Sequence, residues 1–320
     1  MAGNLFARLR DRRPGASRRG FGVFCASLVL LIGVLIIVSP PRADRATADR
    51  PEPTRTHGHH GSRNASPSPS PTTSGPTPDA SATPGATARP DGGPDAATLA
   101  ALQPLIETGE PIYCGAGTQP LVALTFDDGP GVLTQQAIDL LEQNGMTATF
   151  FTVGKLYSEP RFQGLLKEEA RLGAVGDHTW DHVPVEGMST SQLAAQIERT
   201  RTAAEADSGS PVFLFRPPLG WHDEAVDSYV RSLRMLEVLW SLDSQDSQGA
   251  TAEEIYQNVR DHLSPGDIVL LHDNRGTTEA ALPMIVDLIK QLGYRTVTVP
   301  QLLVLDPPTP RQLRQHTCPA

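Results

Sequence analysis

From residue 96 onward the chain alternates short apolar runs with longer amphipathic stretches, and few folds accommodate that order. The apolar runs lie at 121–126, 147–153, 171–176, 212–215, 235–240, 267–272 and 294–299. Amphipathic stretches fall between them, near 132–144, 160–170, 189–206, 222–233, 251–263 and 278–291. Strands separated by helices are joined by crossovers, so the strands are predicted to be parallel. Closed on itself, such a sheet makes a barrel of seven or eight strand–helix units, with the loops after the strands forming the site. An open doubly wound sheet matches the alternation as well, and spacing alone does not separate the two. Thr251 and Glu254 form a capping box ahead of Ile255, Val259 and Leu263, which share one helix face. Glu168 and Glu169 read as a solvated helix face.

The stretch before this region has a different character. Residues 41–95 contain no Val, Ile, Leu, Met, Phe, Tyr or Trp and hold 11 of the 29 prolines. With nothing to bury against the entropy of ordering, they are expected to be a disordered linker, and His57, His59 and His60 within it read as solvated. The folded domain is therefore placed at 96–320. Further upstream, residues 1–20 carry six arginines and residues 21–38 are an uncharged run. A basic cytoplasmic N-terminus followed by a transmembrane signal anchor is the expectation, with a cleaved signal peptide as the alternative. Ala46-Thr47-Ala48 offers a cleavage site for the latter. Either way the domain is expected to work outside the cytoplasm, held at the membrane or secreted. In that oxidising setting a disulfide between Cys114 and Cys318 would staple the ends of the domain; two free thiols are the alternative. Residues 101–320 carry a net charge of −14 against +5 for residues 1–100. So acidic a domain is a poor nucleic-acid binder, and a neutral or mixed polymer suits it better.

Polar residues collect where the apolar runs end. Thr125-Phe126-Asp127-Asp128-Gly129-Pro130 puts two carboxylates at the end of the first run, and a Gly-Pro turn stops the strand there. Alternation on a strand sends adjacent side chains to opposite faces, so the two aspartates are not both ordinary surface charges. After the third run, Gly176-Asp177-His178-Thr179-Trp180-Asp181-His182 spaces two histidines four apart. A helical turn would bring both imidazoles to one ion, and two histidines with one carboxylate make an open, catalytic type of metal site. Phe215-Arg216-Pro217-Pro218-Leu219-Gly220 follows the fourth run, Trp240-Ser241-Leu242-Asp243-Ser244-Gln245-Asp246-Ser247 the fifth, and Leu270-Leu271-His272-Asp273 closes the sixth. Trp180 and Trp221 either line a sugar groove or cap the core.

Taken together and in this order, the five motifs resemble those of the polysaccharide deacetylases of carbohydrate esterase family 4, the NodB-homology domain, over about 118–305. The resemblance implies a distorted (β/α) barrel of about seven units and removal of acetyl groups from N-acetylglucosamine polymers or from acetylated xylan. It implies Asp127 as general base and Asp128, His178 and His182 as ligands of a divalent metal ion, zinc by family habit. Arg216 would orient Asp127, His272 would be the general acid held by Asp246, and the backbone N–H of Leu219 would help bind the oxyanion. Two positions depart from the family pattern: Leu219 stands where tyrosine is usual and Ser247 where tryptophan is usual. The first change spares a backbone donor, and the second removes an aromatic wall of the acetyl pocket. The expected activity is metal-dependent deacetylation of an extracellular polysaccharide, peptidoglycan first and chitin-type oligomers next. The alternatives are an esterase on O-acetylated xylan and a sugar-binding domain without catalysis. The implied partner is the polysaccharide, with the membrane touched only through the N-terminal segment; no protein partner is implied.

Overall fold

The run at 121–126 becomes the centre of the molecule. In a computed structural model, which describes residues 95–319, strand β1 (Leu121–Gly129) pairs in parallel with β2 (Thr149–Thr152) on one side and β7 (Ile268–His272) on the other. A strand flanked by neighbours and covered on both faces has no solvent side, so an apolar run without alternation is what it requires. The sheet continues through β3 (Ala174–Asp177), β4 (Leu214–Phe215) and β5 (Leu236–Glu237) on the β2 side, and through β6 (Leu242–Asp243) beyond β7. A last strand, β8 (Arg295–Thr296), pairs with the start of β1. Every strand pair is parallel, as the alternation predicts.

The two faces of β1 do different work. Val122, Leu124 and Phe126 pack outward against helices α2 (Thr134–Gln143), α6 (Ala252–His262) and α7 (Gly276–Gln291) in one apolar cluster. Leu121 and Ala123 face inward, in a second cluster with α1 (Ala96–Thr108) and α8 (Val299–Leu305). Thr125 and Asp127 continue the inward row toward the site. Helices α3 (Leu165–Leu172), α4 (Thr190–Ser208) and α5 (Glu224–Ser232) build a third cluster over β3 and β4, and α9 (Pro310–Gln315) follows α8.

The structure departs from the expected barrel in its closure and in several elements. Its eight strands fall within the seven or eight expected, but no ladder joins β5 to β6 among the described strands, so the sheet curls without closing. The fifth run, 235–240, is regular only at Leu236–Glu237, because the carbonyls of Val238 and Leu239 accept from the Arg216 side chain instead of from a neighbouring strand. The extended segment before β1 spans the resulting seam through bridges of Ile112 with Val238 and of Cys114 with Asp267. Helices α1, α8 and α9 were outside the expectation. The predicted stretch 160–170 is helical only from Leu165, after a short 3-10 turn and Gly164 at φ +86°.

The capping box at Thr251 and Glu254 is present. Cys114 and Cys318 are bonded, closing a span of 204 residues. Glu169 is not on a solvated face: it is buried with neither carboxylate oxygen hydrogen-bonded among the described residues, and burial pushes its pKa well up. Only Glu168 of that pair reaches solvent, half-buried in an ion pair with Arg171. The expected N-terminal segments, linker and membrane anchor lie outside the described residues, except that α1 begins at residue 96 with Asp95 as its cap. No helix among the described residues is long and apolar enough to cross a membrane.

Candidate active site and metal centre

Parallel strands deliver their C-terminal ends to one side of the sheet, and the motif residues meet there. Asp127, Asp128, His178, His182, Leu219, Trp221, Trp240, Ser247 and His272 line one cleft, together with Asp243, Leu270 and Arg275. Its volume of about 330 Å³ lies at the lower end of the range of ligand pockets.

The Asp-Asp pair is presented by an irregularity that sequence alternation does not foresee. The register of β1 against β2 slips between Asp127 and Gly129, and Asp128 takes a left-handed conformation at φ +70°. Instead of pointing to opposite faces, both carboxylates turn into the cleft. Gly129 is required beside them, since a Cβ there would lie 2.8 Å from the Asp273 carboxylate. The histidines also arrive by a route other than the expected helical turn. Residues 178–182 form a bend with Thr179 at φ +69° and His182 at φ +56°, and the two rings end with centroids 5.0 Å apart.

Asp128, His178 and His182 each offer one donor atom, all within 4.8 Å of one another. Asp128 Oδ1 lies 3.0 Å from His182 Nε2 and 3.8 Å from His178 Nε2. His178 Nδ1 bonds the Arg216 carbonyl at 2.7 Å, which fixes the tautomer and leaves the Nε2 lone pair facing the carboxylate. Burial lowers the His178 pKa and keeps its ring neutral, as ligation requires. Asp128 Oδ1 is buried and accepts no hydrogen bond among the described residues. Burial works against its ionisation, yet the His182 imidazole 3.0 Å away, with His272 nearby, holds the carboxyl well below the usual range. Converging lone pairs around an orphaned carboxylate oxygen suit a divalent cation, and one carboxylate with two imidazoles is a zinc-type donor set.

Asp127 stands beside this triad with its other oxygen engaged elsewhere. Arg216 Nη1 donates to Asp127 Oδ1 at 2.7 Å and to Thr125 Oγ1 at 2.8 Å, while Asp127 Oδ2 lies 3.6 Å from His178 Nε2. The Arg216 guanidinium is wholly buried, stacks 4.0 Å from the centre of the Phe151 ring, and spends its remaining donors on the carbonyls of Val238 and Leu239. On the opposite wall, His272 Nδ1 and Asp246 Oδ1 are 2.7 Å apart. The other Asp246 oxygen accepts from the His272 backbone N–H and from the Thr278 hydroxyl. Burial disfavours the imidazolium, but the Asp246 hydrogen bond and the surrounding aspartates outweigh it, so the His272 pKa is raised. Leu219 is 56% exposed at φ +63°, in a tight turn of residues 218–220 that the Pro-Pro pair leads into.

The sequence-predicted residues are therefore brought together, and Ser247 lies on the same cleft. Of the two tryptophans, Trp221 lines the cleft and is 54% exposed, whereas Trp180 stacks under Arg199 at 3.6 Å. Thr125, Thr278 and Trp240 were not given roles from sequence. Thr125 carries a signal in hindsight: it sits two residues before Asp127 on the same strand face.

Known proteins share the sequence pattern of this chain. Residues 115–238 match the family model for polysaccharide deacetylase. A peptidoglycan-N-acetylglucosamine deacetylase of Bacillus cereus is 37% identical over 192 residues, spanning 58% of this chain and 89% of that protein. The chain belongs to the polysaccharide deacetylase family. A bifunctional xylanase/deacetylase of Pseudobutyrivibrio xylanivorans is 30% identical over 207 residues, but there the match covers 64% of this chain and only 34% of the relative. Among solved structures, a peptidoglycan N-acetylglucosamine deacetylase in complex with 4-naphthalen-1-yl-N-oxidanyl-benzamide superposes with a TM-score of 0.58 at 30% identity. That match covers 62% of this chain and 95% of the other. The deacetylase fold thus accounts for the described domain.

Proposed function

We propose that this chain is a metal-dependent hydrolase that removes acetyl groups from N-acetylglucosamine residues of peptidoglycan, working outside the cytoplasm. The observation that carries the reading is Asp127. Arg216 holds one of its oxygens, and the other faces the Asp128–His178–His182 donors at close range without belonging to that triad. A carboxylate so placed is a base rather than a ligand. The peptidoglycan specificity of the Bacillus cereus relative supports the substrate. The basic and apolar N-terminal residues support export, with the linker keeping the domain near the wall.

A divalent ion held by Asp128, His178 and His182, with zinc favoured, would supply a Lewis acid at the acetyl carbonyl and an acidified water. Asp127 takes the proton from the attacking water, its orientation set by Arg216. The backbone N–H of Leu219 donates to the oxygen on which negative charge develops. His272, protonated and steadied by Asp246, gives its proton to the departing amine, so acetate and a free amine leave. The test is acetate release from peptidoglycan, chitin oligomers and acetylated xylan, by protein stripped with chelator and then resupplied with zinc. Asp127→Asn should keep bound zinc and lose turnover by at least about a hundredfold, whereas His178→Ala should lose both. Near-normal turnover by Asp127→Asn would remove the base assignment.

A second reading, esterase action on acetylated xylan, is supported by the xylanase/deacetylase relative. Ser247 adds to it, because without an aromatic wall the acetyl pocket admits a wider range of ester and amide donors. Xylan acetate released faster than peptidoglycan acetate would select it.

A further inference from the structure

A second set of donor atoms converges some residues away from the site described above. His222 lies just before α5, Asp227 within it, and Glu237 on β5. Their ligand atoms all fall within 4.8 Å of one another. His222 Nδ1 is 2.8 Å from Asp227 Oδ1 and 3.5 Å from Glu237 Oε1. Donors at bond lengths of about 2.0–2.2 Å from one ion stand roughly 2.8–3.6 Å apart in octahedral to tetrahedral arrangements, so both separations are edges of such a polyhedron.

Glu237 makes the cluster more than a group of polar side chains. It is 4% exposed, locked in register opposite Phe215 of β4, and both of its carboxylate oxygens are buried without a hydrogen-bond partner among the described residues. A carboxyl group in that position needs a cation or a proton to offset its desolvation. His222 and Asp227 are partly exposed, so solvent reaches the cluster from outside. Two carboxylates and an imidazole neutralise a divalent ion and match the donor preference of zinc and its neighbours in the transition series.

The position gives such an ion a job. His222 directly follows Trp221, which lines the catalytic cleft, and comes three residues after Leu219, the proposed oxyanion donor. Residues 216–222 join β4 to α5, and the last of them is the one that reaches the cluster. We propose that His222, Asp227 and Glu237 form a second divalent-cation site, distinct from Asp128–His178–His182, which pins the loop 216–222 to α5 and β5. The loop then presents Leu219 and Trp221 to the substrate from a fixed base.

The experiment counts zinc bound per full-length chain by equilibrium dialysis and elemental analysis at micromolar free zinc. Wild type is compared with Glu237→Gln, with His222→Gln, and with His178→Ala/His182→Ala. Each of Glu237→Gln and His222→Gln should bind one equivalent less than wild type, and so should the double histidine variant. Combining His222→Gln with the double variant should remove two. Any zinc held by other histidines of the chain cancels in these differences. His222→Gln alters a side chain that reaches the surface, so it serves if Glu237→Gln does not fold. In the double-variant background, zinc should raise the thermal midpoint, and His222→Gln should abolish that rise. Unchanged stoichiometry in both Glu237→Gln and His222→Gln would overturn the proposal and leave a proton shared between Glu237 and Asp227 as the explanation. Zinc taken up only at millimolar concentration would overturn it equally. Absence of acetate release from every polymer bears on the proposed function and leaves these counts untouched.

Discussion

At the scale of single residues, the chemistry depends on how two side chains are held. Arg216 satisfies Asp127, Thr125 and two main-chain carbonyls from a fully buried position. Lysine cannot reproduce a planar fork with several fixed donors. Arg216→Lys should therefore leave Asp127 and at least one carbonyl without a partner, costing about 3–5 kcal/mol of stability. The checks are a lowered thermal midpoint together with a fall in kcat in the fraction that remains folded. His272 sets the pH behaviour. Its pKa is raised despite burial, chiefly through Asp246, so the acid form persists above the ordinary imidazole range. The rate should fall only as pH rises through that elevated value. Asp246→Asn should move the alkaline limb toward lower pH. The linked stability has the same sign: it is fully present below the unfolded histidine pKa and is lost as pH rises through the folded one. A profile of kcat against pH with an unmoved alkaline limb in Asp246→Asn would detach His272 from the protonation step.

Between residues and the whole molecule lie the elements, and β3 shows how they pass precision to the site. A Cβ at Gly176 would fall 2.5 Å from the Phe151 ring and 3.3 Å from the Cβ of Leu214. Phe151 is the ring on which Arg216 stacks, and Arg216 aligns Asp127. Gly176→Ala should thus cost about 1–3 kcal/mol by overpacking, and should depress kcat more than KM. Melting curves with steady-state kinetics on a soluble oligomer test both halves.

The same scale shows what was readable in the sequence. Strands β1, β2, β3 and β7 and helices α2, α4, α5, α6 and α7 were legible, because burial on both faces writes an apolar run and half-burial writes a 3.6-residue period. The polar strand ends were legible because carboxylates and histidines are expensive there without a purpose. The left-handed backbone at Asp128, Thr179 and His182 was not legible, since none of these is glycine and only tertiary contacts impose it. The cluster of His222, Asp227 and Glu237 was not legible either. Its members are five and ten residues apart on different elements, a spacing that repeats no local geometry.

At the scale of the whole molecule, two features set its integrity. The bond between Cys114 and Cys318 closes a loop of 204 residues, and Cys114 bridges to Asp267 at the base of β7. His272 lies at the opposite end of the same strand. Constraint of the unfolded chain by so long a loop contributes about 5 kcal/mol in the chain-entropy account. Cys318→Ser should lower the thermal midpoint while acetate release per folded molecule stays within about twofold, and a thiol reductant should do the same to wild type but not to the variant. The other feature is the seam between β5 and β6. The sheet does not close there, and the carbonyls it leaves over are taken up by the side chain that also aligns the base. Seam and carboxylate therefore share one guanidinium, so a change at Arg216 disturbs both at once. Substitutions at Asp128, His178 or His182 remove no donor from the carbonyls of the seam, and damage to them should stay local to the cleft.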